Sequence, residues 1–324
     1  MQLPNEILEK AIEIAEKFSK KQLSQSFKEV SNKYCAEKNG NSLLNQEEEA
    51  AAYSLSRMPA TYGAVYNAFF QTLDTIERQV KLKTLLDVGA GTGAATLAIA
   101  NQININKIIC LEREDAMLNL GKILLEASDK KEIRDAIWIK QDLMKDSIME
   151  TIKEKADIIV VSYMLNELDE PNRLKLVENL WNQTNQILLI VDPGTPKDFK
   201  NMMQIKRFLV NKGARVIAPC ANERECSLPS NDWCHFLCRV ERTKWQKDIK
   251  MATVPYEDEK FTYLAFSKED IGRTKNRVIR PSINKTNFIQ VKLCEENKVS
   301  EKIYTRKDKE MYKKAKKIKV GETF

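Results

Sequence analysis

The chain has 324 residues, 43% hydrophobic and 31% charged, with only 10 Gly and 9 Pro, which excludes a mini-protein, a collagen-like chain and a wholly disordered one. No apolar run reaches the ~18 residues that a membrane-spanning helix needs, since even the stretch from Ala156 to Leu165 is broken by Asp157. Net charge is +7, from 53 Lys or Arg against 46 Asp or Glu.

In chain order, Leu8, Ile12, Ala15, Phe18 and Leu23 recur at helical spacing, predicting one helical run from Leu3 to about Lys38 that Gly40 and Asn41 end. Residues 46–78 continue helically, and Pro59 is expected to divide them. Residues 1–78 thus form a helical N-terminal segment. Strand-like runs then follow at 84–88, 107–111, 136–140, 157–162 and 186–191, with helical runs at 94–101, 115–128, 171–181 and 199–212, the last stopped by Gly213. That alternation predicts an α/β core over residues 79–270, with a parallel sheet and crossover helices.

After Gly213 the pattern changes. Five of the seven Cys lie between Cys220 and Cys294, among short β-favouring runs at 233–240 and 260–266, which marks a cysteine-rich insertion at 216–260. Residues 271–324 carry 16 Lys or Arg against 6 Asp or Glu, a local +10 that leaves about −3 for the rest. Such a basic extension is the electrostatic footprint of a nucleic-acid partner, because each neutralised phosphate releases counterions; a solvated lysine-rich terminus is the alternative. Residues 1–10 carry Glu6 and Glu9 and no apolar block, unlike a secretory signal or a transit peptide. The expectation is a soluble, cytoplasmic protein with no membrane partner. An odd number of Cys in a reducing compartment argues against a disulfide framework and towards thiol ligands.

The run Leu85-Leu86-Asp87-Val88-Gly89-Ala90-Gly91-Thr92-Gly93 leads from a buried strand through a glycine turn into a helix. Glycines there let the backbone turn tightly and a ligand approach closely. A dinucleotide fingerprint has two residues between its last glycines, and a P-loop needs a following Gly-Lys-Ser/Thr; neither fits. The spacing is similar to the first motif of S-adenosylmethionine-dependent methyltransferases. Glu112, ending the second strand, is placed to accept from both ribose hydroxyls, and Asp142, after the third, from the adenine amino group. The expected cofactor-binding set is Asp87, Gly89, Ala90, Gly91, Gly93, Glu112 and Asp142.

After the fourth strand comes Ser162-Tyr163-Met164-Leu165-Asn166-Glu167-Leu168, without the Pro-Pro-aromatic motif of amino-group methyltransferases acting on bases. Pro219-Cys220 follows the fifth strand rather than the fourth, the wrong place for the nucleophile of carbon-5 cytosine methylation. No catalytic residue is assigned. Cys220, Cys226 and Cys234, with Cys294 60 residues further on, do not match the paired knuckles of most structural zinc sites. Four thiolates could hold an iron-sulfur cluster, and buried free cysteines fit the spacing equally well.

Val216-Ile217-Ala218-Pro219-Cys220, Asp232-Trp233-Cys234-His235-Phe236 with Arg239, and the stretch from Pro255 to Tyr263 resemble the bacterial and mitochondrial methyltransferase-like family associated with the small ribosomal subunit, of the methyltransferase-like protein seventeen type. Arg57-Met58-Pro59-Ala60-Thr61-Tyr62, the glycine loop, Asp192-Pro193-Gly194-Thr195-Pro196, Arg277-Val278-Ile279-Arg280-Pro281 and Val291-Lys292-Leu293-Cys294 extend the likeness from about Ala50 to the C-terminus. Asp192 stands where the family usually has Glu.

The resemblance implies a Rossmann-like S-adenosylmethionine methyltransferase core with a metal-binding insertion and a small β-rich C-terminal extension. It also implies a 4Fe-4S cluster on Cys220, Cys226, Cys234 and Cys294, with zinc as the alternative metal and Cys238 outside the set. His235, Tyr163 and Trp233 are expected to be structural rather than catalytic or base-stacking. The implied function is an iron-sulfur, methyltransferase-like factor, monomeric off the ribosome, that binds small-subunit rRNA and supports ribosome assembly and translation. The alternative is an active rRNA methyltransferase.

Overall fold

The computed structural model describes residues 1–36, 46–145 and 152–324. At the N-terminus the single expected helical run is two helices. α1 (Asn5–Ala15) buries Ile7, Ala11, Ile14 and Ala15 as one stripe, and the chain turns at 16–19 before α2 (Lys20–Ala36). Gly40 and Asn41 lie outside the described residues. α3 (Glu47–Ser56) and α4 (Met58–Leu73) meet at Arg57. The expected division is present, and the break falls two residues before Pro59, which stands in the first turn of α4, where its missing N–H has no intrahelical bond to lose.

Among the described residues, five strands run parallel: β1 (Thr84–Val88), β2 (Lys107–Glu112), β3 (Ile137–Lys140), β4 (Ala156–Ser162) and β5 (Thr184–Pro193), in the order β3-β2-β1-β4-β5. α5 (Ala94–Ala100), α6 (Asp115–Glu126) and the short α7 (Lys131–Arg134) cover one face, and α8 (Glu170–Gln183) and α9 (Pro196–Asn211) the other. Alternate residues explain both layers. Leu85, Ile158, Val160 and Leu189 pack with the first set and α1 to α4, whereas Leu86, Val88, Ile159, Val161 and Ile190 pack under α8 and α9. Strand order reverses between β1 and β4, a switch point where such Rossmann-like sheets bind ligands at their carboxyl edge.

The parallel expectation stops at β5. After β6 (Arg215–Ala218) and β7 (Phe236–Glu241), α10 (Lys244–Lys250) leads to β8 (Tyr256–Ser267), which lies antiparallel to β5, β6 and β7. The run expected at 233–240 therefore enters its strand late, at Phe236, and the run at 260–266 is the end of a longer strand.

A second, antiparallel sheet contains β9 (Arg277–Val278), β10 (Ile283–Asn284), β11 (Phe288–Cys294) and β12 (Val299–Thr305), backed by α11 (Lys309–Lys317). Its buried core is Val278, Ile289, Val291, Leu293 and Ala315, too little apolar surface for independent stability. Docking therefore fixes it. Arg277 is fully buried, and its guanidinium donates to the carbonyls of Gly321 and Gln71 and to the Thr274 hydroxyl, the last two at 3.0 and 2.6 Å. One side chain thus ties β9, the chain end and α4 together. Lys314, Lys316 and Lys317 close α11, where their charges favour its free carbonyls.

Replacing Arg277 by Met leaves those buried acceptors unsatisfied, an expected loss of about 3 kcal/mol. The urea midpoint should fall and the segment after residue 271 should become protease-sensitive. An unchanged midpoint with a protected tail would contradict the clamp.

Candidate functional site

Gly89, Gly91 and Gly93 hold φ angles of 69°, 57° and 83°, in the left-handed region where a Cβ is costly. The N–H groups of Gly89 and Ala90 both donate to the Leu111 carbonyl at 2.9 Å, which fastens the turn to β2. A Cβ on Gly121 would stand 2.3 Å from Trp138 and 3.0 Å from the Gly91 carbonyl oxygen, so α6 passes directly beneath the loop. A glycine inside a helical pattern is the sequence signal that points to Gly121.

Loop and strand ends enclose a crevice of about 850 Å³, counting the solvent at its mouth, whose wall includes Gly89, Gly91, Glu112, Asp142, Tyr163 and Glu167. Asp87, Ala90 and Gly93, expected at the cofactor, are not on that wall; they build it. Asp87 is buried, and its Oδ2 accepts from the Thr96 N–H at 2.9 Å and the Thr96 hydroxyl at 2.8 Å, tying β1 to α5. Its Oδ1 has no partner among the described residues. Burial pushes this carboxyl up to about 7, against the pull of the Thr96 hydrogen bonds.

Glu112 joins the two halves of the crevice. Its Oε2 accepts from the Gly91 N–H at 2.7 Å, and its Oε1 from the N–H groups of Arg113 and Glu114 at 2.7 and 2.9 Å. A carboxylate offers about four lone-pair sites, so three backbone donors leave one. Accepting from both ribose hydroxyls, as expected from sequence, requires one of those backbone bonds to open. Asp142, just beyond β3, accepts from the Met144 N–H at 3.1 Å.

On the opposite wall Tyr163 follows β4 with a φ of 55°, uncommon for an aromatic residue. Its hydroxyl donates to Glu259 Oε1 at 2.9 Å, and Arg57 stands 3.2 Å from the same oxygen. This chain links the start of α4 to β8 across 202 residues of sequence, a pairing that no local pattern signals. Glu167, in the turn Leu165–Glu167, is pushed up to about 7 by burial; Arg113 opposes the shift, and Glu112 and Glu114 add to it. No cysteine lines this crevice among the described residues.

A second cavity lies beside β6 and β8. Cys220, Cys226, Cys234 and Cys294 all line it, between Phe199, Met203, Leu228 and Tyr263. The first three belong to the connection after β6; the fourth comes from the separate sheet. Burial pushes up the thiols of Cys226, Cys234 and Cys294, the last to about 12, and the neighbouring Cys220 adds to each. Cys238 is elsewhere, buried so closely under α4 that a Cβ on Gly63 would stand 2.7 Å from its Sγ. Among the described residues, no group of three or more His, Cys, Asp or Glu side chains is arranged to hold a single metal ion. Trp233 donates from Nε1 to the Gly194 carbonyl at 2.9 Å and stacks on His235 with ring centroids 5.2 Å apart, so both rings are locked in place.

Residues 47–324 match the family described as mitochondrial small ribosomal subunit Rsm22. The chain belongs to the Rsm22 family. The human mitochondrial ribosome assembly protein METTL17 is 26% identical over 260 residues, covering 75% of this chain and 54% of the relative; the chain thus spans about half the length of that curated relative. Among solved structures, magnesium protoporphyrin IX methyltransferase from Synechocystis PCC 6803 is similar at 10% identity, covering 77% of this chain and 97% of its own, with a TM-score of 0.41. A ribosomal protein L11 methylase from Lactobacillus delbrueckii subsp. bulgaricus is 14% identical, covering 60% and 76%, with a TM-score of 0.36.

Asp87 yields a pH signature for this Rsm22 family member. Its folded-state value of about 7 exceeds the ~3.9 of an unfolded Asp, so its stabilising contribution is complete below pH ~4 and lost as pH rises through 7. Stability should fall across that window by an amount on the order of 4 kcal/mol from this group, and Asp87→Asn should flatten the fall. Urea midpoints of both proteins between pH 4 and 8 measure it; parallel curves would contradict the assignment.

Proposed function

We propose that the chain is an S-adenosylmethionine-binding, iron-sulfur-containing assembly factor of the small ribosomal subunit, docking on its ribosomal RNA through residues 271–324. The observation that carries this reading is that Cys294, on β11 of the basic C-terminal sheet, lines one cavity with Cys220, Cys226 and Cys234. The small-subunit description of the family and the ribosome-assembly role in the human relative's name support the choice of partner.

The crevice suits the cofactor in kind. It lies at the switch point of the sheet, and Glu112, Asp142 and Glu167 on its wall complement a sulfonium cation. The donor set of the second cavity also suits its proposed occupant. Four sulfurs on one zinc at about 2.3 Å stand about 3.8 Å apart, whereas in a cluster each thiolate binds a different iron and the sulfurs spread further. Four thiols lining one cavity are the donor set that a cluster takes, and that a zinc ion also takes. When bound, a 4Fe-4S cluster supplies iron-thiolate bonds that cross-link the insertion to the C-terminal sheet. The chain's own contribution is to hold that sheet, with its lysines outward, against the core.

An anaerobic preparation of the full chain should contain iron and sulfide and absorb as a brown protein. Cys294→Ser should lose iron and bind small-subunit rRNA at least ~10-fold more weakly; unchanged iron or unchanged affinity would sink the reading.

An active rRNA methyltransferase is the second reading, favoured by Glu167, a carboxyl near 7 on the crevice wall, where a proton acceptor is useful. Labelled cofactor with small subunits lacking the factor separates the two. Methyl incorporation supports the enzyme, and binding without incorporation the assembly factor. In either case Glu112→Ala should weaken cofactor binding roughly 10-fold or more by calorimetry.

A further inference from the structure

Lys206 is buried, with 4% of its surface exposed. It lies on α9 seven and three residues after Phe199 and Met203, both of which line the thiol cavity; that spacing puts all three on one helix face. Its ammonium donates to the Arg224 carbonyl at 2.7 Å. Glu225, the adjacent acid, pairs instead with Arg207 at 2.7 Å, and among the described residues no carboxylate pairs with Lys206.

A buried ammonium with one carbonyl partner is a costly arrangement unless an anion stands close by. Its charge acts on Cys226 and Cys294 as well as on Glu225 at the surface. As thiols they are neutral, and the lysine then has only the Arg224 carbonyl and the surface carboxylate of Glu225, already paired with Arg207, to offset its charge. As metal-bound thiolates they are not neutral: four thiolates outweigh the charge of a zinc ion or of an oxidised 4Fe-4S core, so the bound unit is anionic with either metal.

We propose that Lys206 is the counter-charge of a thiolate-bound metal centre in this cavity, a positioning residue that acts through the sulfurs of Cys226 and Cys294 without ligating the metal. The proposal rests on those cysteines being ligands, and it predicts a change of sign. Methionine keeps the length and apolar bulk of the lysine stem while removing its charge. Metal-free K206M should therefore be at least as stable as the metal-free wild type, because a poorly compensated buried charge has gone. Loaded K206M should be weaker than loaded wild type, because an anion has lost its partner.

The test loads the full-length chain anaerobically with iron and sulfide, or with zinc alone, and follows metal release to a chelator together with thermal unfolding of both states. Release from K206M should be roughly 10-fold faster or more, while K206R should stay near the wild-type rate. Release from K206M at the wild-type rate overturns the proposal. So does metal-free K206M destabilised as much as the loaded form, since a merely structural lysine weakens both states alike. Wild-type protein that takes up neither metal overturns the ligand reading itself, and it does so before any variant is compared.

Discussion

Asp232 sits between Arg280 and Lys292, the second at 3.0 Å, and this ion triad joins the connection after β6 to the C-terminal sheet. The three side chains are 22–26% exposed, so solvent screens them and the triad alone is a modest clasp. It acts with neighbours. Asn222 donates to the Glu295 carbonyl at 2.9 Å, the Val299 N–H donates to the Ser227 hydroxyl at 2.7 Å, and Cys294 reaches the thiol cavity from the same sheet. The orientation of the basic surface depends on this seam, because the sheet's own core is too small to hold it. If the seam opens, the exposed lysines of residues 298–319 remain on the chain but are no longer held against the core.

β8 carries the two cavities on one strand. Glu259 takes the Tyr163 hydroxyl at the glycine-loop crevice, and Thr262, Tyr263 and Leu264 line the thiol cavity. Four residues of strand separate Glu259 from Tyr263, about 13 Å. Between the cavities lies the turn after β5, where the Gly194 N–H donates to the Lys260 carbonyl at 2.9 Å and the Gly194 carbonyl accepts from Trp233. A Cβ on Gly194 would stand 2.9 Å from the Lys260 backbone, which explains the glycine. The cysteine-rich connection is thus fastened to the sheet edge that also builds the crevice.

Much of the architecture was legible in local pattern. The alternating strand and helix runs read between residues 84 and 212 correspond to β1 through α9, and the left-handed φ of Gly89, Gly91 and Gly93 is what their spacing demanded. The antiparallel end of the sheet was not legible, because β6, β7 and β8 look like any short apolar run and their pairing depends on partners far along the chain. Pro59 signalled the division between α3 and α4, and only the exact break, at Arg57, was left open, because a proline is tolerated in the first turn of the helix that follows.

Composition, periodicity and glycine spacing determined on their own that this chain folds as a mixed α/β protein with a glycine turn after its first strand and a cationic final segment. Those properties are local, set by backbone sterics and by which face each residue presents. Only the tertiary structure decided that Asp87 anchors the loop instead of lining it, that Glu112 has one acceptor site left, and that Cys294 joins three thiols at least 60 residues earlier in sequence. It also decided that Lys206 is buried without an acid. Each of these outcomes is a distance or a desolvation between segments brought together by packing, and such quantities have no counterpart along the chain.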